Sequence, residues 1–264
     1  MSEQLTFPEP DARKLTPYLP PPNPAGTQTR AQGSRPFVTL TFATSLDSSL
    51  SLAPGVRTRL SGPESKAMTH YLRSRHDAIC VGVGTAVADD PALNCRIAGC
   101  EGQQPRPIVL DPHGRWAVSA ESKVLETARA ARGKAPFVIT AEEATLSAGY
   151  ADAVEDAGGK IIRLGTDGEG RFAWRDVLGA LWTEGIRSVM VEGGGGVINE
   201  LLDPANHELI DSVIVTIAPT WLGKGGVVVS PERVHEGGNA IPAARLSDVL
   251  WHPLGEDVVL CGRL

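Results

Sequence analysis

Short apolar runs alternate with segments of helical periodicity along most of this 264-residue chain. The runs are rich in β-branched residues and predict strands at 36–43, 77–83, 107–110, 137–140, 160–164 and 189–191. Apolar residues spaced three or four apart predict helices at 61–75, 120–131, 142–157 and 174–184. Such strict alternation predicts an α/β fold with a mostly parallel central sheet and helices on both faces.

The two ends of the chain depart from this alternation. Residues 1–34 carry seven prolines and little apolar periodicity, which predicts an extended or disordered arm whose apolar residues could still lie against the domain. Residues 35–264 then form a single domain. The apolar runs 209–219 and 257–262 have no long helix between them and therefore predict an antiparallel edge of the sheet.

Composition narrows the class of protein. The formal net charge of −6 argues against binding that relies on nucleic-acid phosphates or an anionic membrane. The chain lacks both an apolar run of about 18 residues and the pattern of a signal peptide, so we expect a cytoplasmic protein. Its four cysteines form no C-x-x-C pair and its six histidines are scattered, so the sequence predicts no metal site.

Four consecutive glycines, 193–196, follow the strand predicted at 189–191. Glycines accept positive φ and carry no side chain, so a ligand can approach the backbone of this turn closely. Val197 and Ile198 begin a predicted helix, whose first N–H groups attract an anion such as a phosphate or pyrophosphate. The alternative is a turn whose glycines only allow the strand and helix to pack tightly.

Polar side chains follow two of the predicted strands. Glu192 ends the strand before the glycines and is a candidate for substrate binding, because ligands of open α/β sheets bind at the carboxyl ends of strands. The segment 84–96 contains Thr85, the acid pair Asp89 and Asp90, and the anion-binding donors Asn94 and Arg96. The acid pair has a second explanation, because it could simply cap the turn before Pro91.

Two further residues, Arg73 and Asp47, also have alternative explanations. Ser61 and Glu64 have the spacing of a capping box at the start of the predicted helix 61–75. Arg73 near its end could bind an anion or merely interact with the helix dipole. Asp47, in the loop after the first strand, could cap that loop or belong to the site.

Several motifs occur together in one order, at 35–40, 45–47, 60–64, 72–78, 84–96 and 191–194. Together they resemble the riboflavin-biosynthesis reductase family, most nearly its stand-alone fungal and archaeal members. The resemblance implies a dihydrofolate-reductase-like fold and NADPH-dependent reduction of the ribosylamino group of 2,5-diamino-6-ribosylamino-4(3H)-pyrimidinone 5′-phosphate. The product carries a ribitylamino group, formed by hydride addition to C1′ of an open-chain imine.

The resemblance also assigns roles to residues. It implies NADPH contacts from Thr85, Asp89, Gly193, Gly194, Gly195, Gly196, Val197 and Ile198. It implies substrate contacts from Arg73, Leu93, Arg96 and Glu192, to which the anion-binding donors add Asn94. Glu192 is the one residue placed in the catalytic site, where it would accept hydrogen bonds from the pyrimidine. The family usually has Gly-Lys or Gly-Arg where this chain has Ser48-Ser49, so no basic residue fills that role here.

Two observations predict that the protein forms a homodimer. The resemblance implies a homodimer, and the apolar runs 213–217 and 258–260 lack flanking helices long enough to cover them.

One rival function is reduction of a pterin or another heterocycle, and another is a regulatory nucleotide-binding domain without catalysis. The sequence leaves open whether the pyrimidine is reduced before or after deamination, and whether NADPH is preferred over NADH.

Overall fold

A computed structural model describes residues 4–22, 35–241 and 243–264 of the chain. The helices are α1 Glu9–Leu15, α2 Pro63–Ser74, α3 Val83–Asp89, α4 Lys123–Arg129, α5 Tyr150–Glu155, α6 Trp174–Thr183 and α7 Gly195–Leu201, with 3₁₀ turns at Thr16–Tyr18 and Pro204–Leu209. The strands are β1 Phe37–Thr44, β2 Ser49–Ser51, β3 Ala78–Gly82, β4 Arg106–Leu110, β5 Phe137–Ala141, β6 Lys160–Leu164, β7 Ser188–Gly193, β8 Ser212–Ile217, β9 Val227–Val228, β10 His235–Glu236, β11 Asn239–Ala240, β12 Ser247–Leu254 and β13 Asp257–Arg263.

A nine-stranded sheet organises the described ranges, in the order β12-β13-β8-β1-β7-β3-β4-β5-β6. The strands from β8 to β6 are parallel, whereas β13 is antiparallel to β8 and β12 is antiparallel to β13. The predicted α/β class with an antiparallel carboxyl-terminal edge is therefore confirmed. β8 is where the strand direction changes, because it pairs antiparallel with β13, as predicted, and in parallel with β1 on its other side.

Helices cover both faces of the sheet, as the alternating pattern predicts. On one face, α6 and α7 pack on Cys80 and Val191. On the opposite face, α4 and α5 pack on Ile79 and Val81. The parallel strands from β8 to β5 are thus largely buried on both sides, whereas β6 at the sheet edge is partly exposed. The carboxyl ends of the parallel strands lie on one side of the sheet, where the following loops meet.

The expectation of an extended or disordered arm is wrong for the N-terminal residues that the structure describes. Residues 9–15 form helix α1, and its prolines stand at the N-cap and in the first turn, where no hydrogen bond is lost. Leu15, Tyr18 and Leu19 are buried against the sheet, in a cluster that includes Val259 and α2. Residues 1–3 and 23–34 lie outside the described part of the chain.

Local interactions also change the ends of two predicted helices. Gly62, rather than Ser61, precedes α2, and its N–H donates to Asp257 Oδ2 at 2.9 Å, so the predicted capping box does not form. Only Tyr150–Glu155 of the predicted helix 142–157 is helical. The guanidinium of Arg163 instead holds three carbonyl groups of residues 141–144 at 3.0–3.1 Å, which stabilises a loop there.

Within the described residues, no helix is long and apolar enough to cross a membrane. The same ranges contain no group of three or more His, Cys, Asp or Glu side chains that could hold a metal ion. All four cysteines are free thiols.

Candidate active site

A cavity of about 1410 Å³ opens at the carboxyl ends of the parallel strands. Its walls include residues of the β2–α2 loop, α2, the segment from α3 to Arg96, and the start of α7. The predicted site residues that line it are Arg73, Thr85, Asp89, Leu93, Asn94, Arg96, Glu192, Gly194, Gly195, Gly196, Val197 and Ile198. Gly193 lies behind this wall, where it is buried. The fold therefore brings together three segments that are far apart in the sequence.

The glycine turn after β7 uses the special properties of this residue. Gly193 and Gly194 have φ of 87° and 88°, in the left-handed region that side chains rarely adopt. A Cβ on Gly194 would stand 2.9 Å from Thr85 Oγ1, and one on Gly195 would collide with Val227. The Thr85 hydroxyl donates to the Gly193 carbonyl at 3.2 Å, which ties the turn to α3.

The first turn of α7 presents backbone donors at this wall. Its first internal hydrogen bond runs from Ile198 N–H to Gly194 O at 3.1 Å, so the N–H groups of residues 195–197 have no acceptor within the helix. A Cβ on Gly196 would meet no heavy atom within 4 Å, which shows that the space beside it is open. Backbone donors beside open space fit a phosphate or pyrophosphate group.

Glu192 forms a two-pronged ion pair with Arg73 of α2. Arg73 Nε donates to Glu192 Oε1 at 2.8 Å and Nη2 donates to Oε2 at 2.7 Å. Burial alone would lower the pKa of Arg73, but the charge and hydrogen bonds of Glu192 outweigh it and raise that pKa. Arg73 Nη1 also donates to the Asn94 carbonyl at 3.1 Å. The pair thus fixes the orientation of the Glu192 carboxylate in the cavity wall.

Arg96 lies against His70, a buried residue one helical turn before Arg73. His70 Nε2 is 3.2 Å from Arg96 Nε and 2.9 Å from Arg96 Nη2. The backbone of Arg96 is held separately by the N-terminal segment, because Leu5 N–H donates to the Arg96 carbonyl at 2.9 Å. Both the side chain and the main chain of Arg96 therefore have defined partners.

The structure separates the two acids of the pair before Pro91. Asp90 Oδ1 accepts from the Lys123 N–H at 3.0 Å and Asp90 Oδ2 is 3.4 Å from Lys123 Nζ, so Asp90 caps the start of α4. Asp89 ends α3 and lines the cavity without this capping role. Leu93 adopts a φ of 52°, which is unusual for leucine, and its side chain is buried beneath the wall.

Asp47 serves the loop rather than the cavity, which decides between its two predicted roles. Its carboxylate accepts from the Ser45 hydroxyl at 2.5 Å, from Leu222 N–H at 3.1 Å and from Gly223 N–H at 2.7 Å. The Ser45 hydrogen bond, followed by that of Leu222, lowers the pKa of Asp47. The residue joins the loop after β1 to the turn at 220–223 and is not part of the cavity wall.

Sequence reasoning missed several lining residues. His70 could have been found, because it stands three positions before Arg73 on the same helical face. Arg57, Arg59 and Lys66 also line the cavity, from the β2–α2 loop and α2. The β2–α2 loop lies in a stretch for which the hydrophobic pattern predicts no element, so nothing in that pattern indicated that it would reach the site.

The chain belongs to the family of the RibD C-terminal domain, whose model matches residues 36–260. It is similar to the 2,5-diamino-6-ribosylamino-4(3H)-pyrimidinone 5′-phosphate reductase of Debaryomyces hansenii, with 44% identity over 241 residues that cover 89% of this chain and 92% of the relative. The reductase of the same name from Saccharomyces cerevisiae is 41% identical over 231 residues, 87% of each chain.

Solved structures agree with this membership. The structure of Saccharomyces cerevisiae riboflavin biosynthesis reductase Rib7 matches with a TM-score of 0.75 and 36% identity, over 97% of this chain and 100% of that one. Acinetobacter baumannii RibD shares the fold, with a TM-score of 0.67 and 23% identity over 87% of this chain and 58% of that chain. The predicted resemblance to riboflavin-biosynthesis reductases is therefore confirmed.

Proposed function

We propose that this chain is an NADPH-dependent reductase of riboflavin biosynthesis. It reduces the ribosylamino side chain of 2,5-diamino-6-ribosylamino-4(3H)-pyrimidinone 5′-phosphate to a ribitylamino side chain. The single observation that carries the proposal is the cavity in which the Arg73–Glu192 pair, Arg96 and the glycine turn meet. Relatives that bear this reductase name include one that is 44% identical to the chain, over 89% of its length.

The glycine turn is the proposed cofactor site. The N–H groups of residues 195–197, which have no acceptor within the helix, suit the pyrophosphate, and Gly196 leaves room for it. Thr85 and Asp89 line the same part of the wall, from α3. NADPH supplies the hydride when it is bound, so the protein has only to bind it and place it. Its preference over NADH is part of the proposal.

Glu192 is the proposed ligand of the pyrimidine. An ionised carboxylate accepts hydrogen bonds, and the pyrimidine offers amino and ring N–H donors. Arg73 fixes the direction of this carboxylate, since Nε and Nη2 donate to its two oxygens. Because these donors are occupied, we assign Arg73 to holding Glu192 rather than to binding the phosphate. Direct contact between Arg73 and the substrate stays a prediction.

Arg96 is the proposed ligand of the substrate phosphate, with Asn94 and Leu93 beside it. A guanidinium is well suited to phosphate because its N–H donors form charge-assisted hydrogen bonds. Holding the reacting carbons in contact can itself supply on the order of 7–11 kcal/mol in ideal intramolecular cases. The account needs no acidic side chain, because water can deliver the proton to the imine nitrogen.

We also propose a homodimer, on grounds that differ from the predicted ones. Val213, Ile214 and Val215 of β8 are buried within the single chain, so the expectation that this run lacks cover is wrong. Two of the exposed large apolar side chains in the described ranges lie on β12, where Val249 and Trp251 are 45% and 58% exposed. With the partly buried Val258 and Leu260 of β13 they form a surface that we call the edge patch: Val249, Trp251, Val258 and Leu260.

A turnover assay tests the proposed activity. Purified protein is mixed with the ribosylamino 5′-phosphate substrate and NADPH, and loss of the absorbance of reduced cofactor is followed. We expect turnover that depends on the substrate and that falls when NADH replaces NADPH. The same assay with dihydropterin precursors in place of the pyrimidine tests the rival reductase, and turnover with those compounds alone would contradict the proposal.

A further inference from the structure

His70 is the one buried histidine whose ring contacts a proposed substrate ligand in the described part of the chain. Its side chain is on α2 and only 4% of the residue is exposed. Its Nε2 atom is 3.2 Å from Arg96 Nε and 2.9 Å from Arg96 Nη2. Neither the sequence motifs nor the proposed mechanism uses this residue.

The chemistry of the two groups decides which ring nitrogen is protonated. A guanidinium has only N–H donors, so the nitrogen that faces it, Nε2, must carry the lone pair. Nδ1 then carries the proton. The Arg96 backbone N–H also faces Nδ1 at 3.2 Å, but a neutral imidazole has a single acceptor nitrogen, so only one of the two contacts can be a hydrogen bond. We assign the lone pair to Nε2, because two guanidinium nitrogens face Nε2 and one backbone N–H faces Nδ1.

The surroundings keep this imidazole neutral. Burial, followed by the positive charges of Arg73, Arg96 and Lys66, lowers the pKa of His70 to about 2. A neutral imidazole accepts a hydrogen bond, whereas an imidazolium would repel the guanidinium. His70 is thus an acceptor for Arg96 throughout the pH range in which enzymes are assayed.

We propose that His70 is a positioning residue that holds the Arg96 guanidinium in the orientation that binds the substrate phosphate. Leu5 already fixes the backbone of Arg96, so His70 adds control of the side chain. Through the Asn94 backbone, the same cluster adjoins the Arg73–Glu192 pair, since Arg73 Nη1 donates to the Asn94 carbonyl. The inference rests on the proposed role of Arg96 as the phosphate ligand.

The test compares two variants that differ by one methylene group. In His70→Gln the side-chain amide reaches about as far as Nε2 and can accept from Arg96, whereas in His70→Asn it reaches only as far as Nδ1. We expect His70→Asn to raise the KM for the phosphorylated substrate about tenfold, the effect of losing one hydrogen bond to a charged group. His70→Gln should restore most of the affinity, and kcat and NADPH affinity should change little in both.

Two further measurements separate positioning from general disruption. Thermal unfolding of both variants checks the fold, and His70→Leu adds a second variant without an acceptor. The substrate without its phosphate gives the decisive comparison, because positioning of a phosphate ligand cannot affect a compound that has no phosphate. We therefore expect the KM for that compound to be the same in wild type and His70→Asn.

The Arg96→Ala variant distinguishes failure of the inference from failure of the proposed function. If Arg96→Ala raises the KM but folded His70→Asn and His70→Leu do not, His70 does not position Arg96 and the inference is overturned. If Arg96→Ala leaves the KM unchanged, the phosphate role of Arg96 itself is wrong and the inference falls with it. An equal rise of KM for both substrates in His70→Asn would also overturn it.

Discussion

At the scale of single residues, the roles of Arg73 and Glu192 depend on the ion pair that they form with each other. They stand 119 positions apart in the sequence, and no spacing rule could have predicted that they pair. Sequence patterns did identify both as site candidates, because each follows from a local signal at a helix end or a strand end. The same limit applies to Asp89 and Asp90, whose different roles depend on Lys123 of another helix. Residue type and position could be predicted, but partners could not.

Glu192→Gln tests the role of the carboxylate. The amide keeps the shape of the side chain but removes its charge, and it replaces one acceptor oxygen by a donor group. We expect the substrate KM to rise or kcat to fall by on the order of 10- to 100-fold, because hydrogen bonds to charged groups contribute about 1.5–3 kcal/mol. Cofactor titration should give an unchanged Kd for NADPH. A loss of NADPH affinity of the same size would show that Glu192 binds the cofactor, and its assignment to the pyrimidine would then be wrong.

Arg73→Lys is the matched variant for this pair. Lysine keeps the positive charge but cannot make the two-pronged contact, so the Glu192 carboxylate loses its fixed direction. The account expects a defect smaller than that of Glu192→Gln and also confined to the substrate. A large defect in Arg73→Lys that disappears with unphosphorylated substrate would instead identify Arg73 as a phosphate ligand.

At the scale of helices and strands, the regular parts of the fold were predictable and the irregular parts were not. The parallel strands are continuous apolar runs, which is a strong local signal. β12 was missed, because its sequence contains Pro253 and its exposed side chains conceal the alternation typical of a strand. The hydrophobic pattern predicts no helix at α3, because this helix is short and rich in small and polar residues.

The N-terminal helix shows how tertiary contacts override composition. Its prolines stand where a helix tolerates them, while Leu15 is 0% exposed among residues of the sheet edge. Leu15→Ala should therefore lower the free energy of unfolding by about 2–5 kcal/mol, as is usual for a buried leucine. Urea unfolding followed by circular dichroism measures this loss.

Arg13→Ala is the control for the helix. The Arg13 side chain is 71% exposed, so its removal should change the free energy of unfolding by no more than about 0.5 kcal/mol. Equal stability of wild type and Leu15→Ala would mean that the arm does not contribute to the core, and the packing described for α1 would then be wrong.

At the scale of the whole molecule, the strand order of the sheet brings the site residues together. The loops after β1, β3 and β7 meet because these parallel strands are neighbours in the sheet and all their carboxyl ends lie at one edge. The alternating pattern therefore predicted the place of the site, although the strand order could not be obtained from that pattern. The family resemblance supplied the substrate, which no feature of the cavity specifies by itself.

The proposed dimer is tested through the edge patch. We expect light scattering at micromolar concentration to give twice the monomer mass for the wild-type chain. Trp251→Glu should shift the protein toward monomer, because a charge would be buried in the apolar interface. Val87→Glu is the matched control, since Val87 is also 58% exposed but lies on α3. A wild-type monomer, or equal dissociation of both variants, would contradict a dimer through this patch.

Mass spectrometry of the product tests whether the proposed reaction takes place. The ribosylamino 5′-phosphate substrate is incubated with the protein and NADPH, and the reaction mixture is compared with one that contains the Glu192→Gln variant. We expect a product that is heavier than the substrate by two hydrogen atoms, both located in the sugar-derived side chain. This product should form much more slowly with the variant. Unchanged substrate with a folded wild-type protein, or hydrogen added to the pyrimidine ring instead, would contradict it.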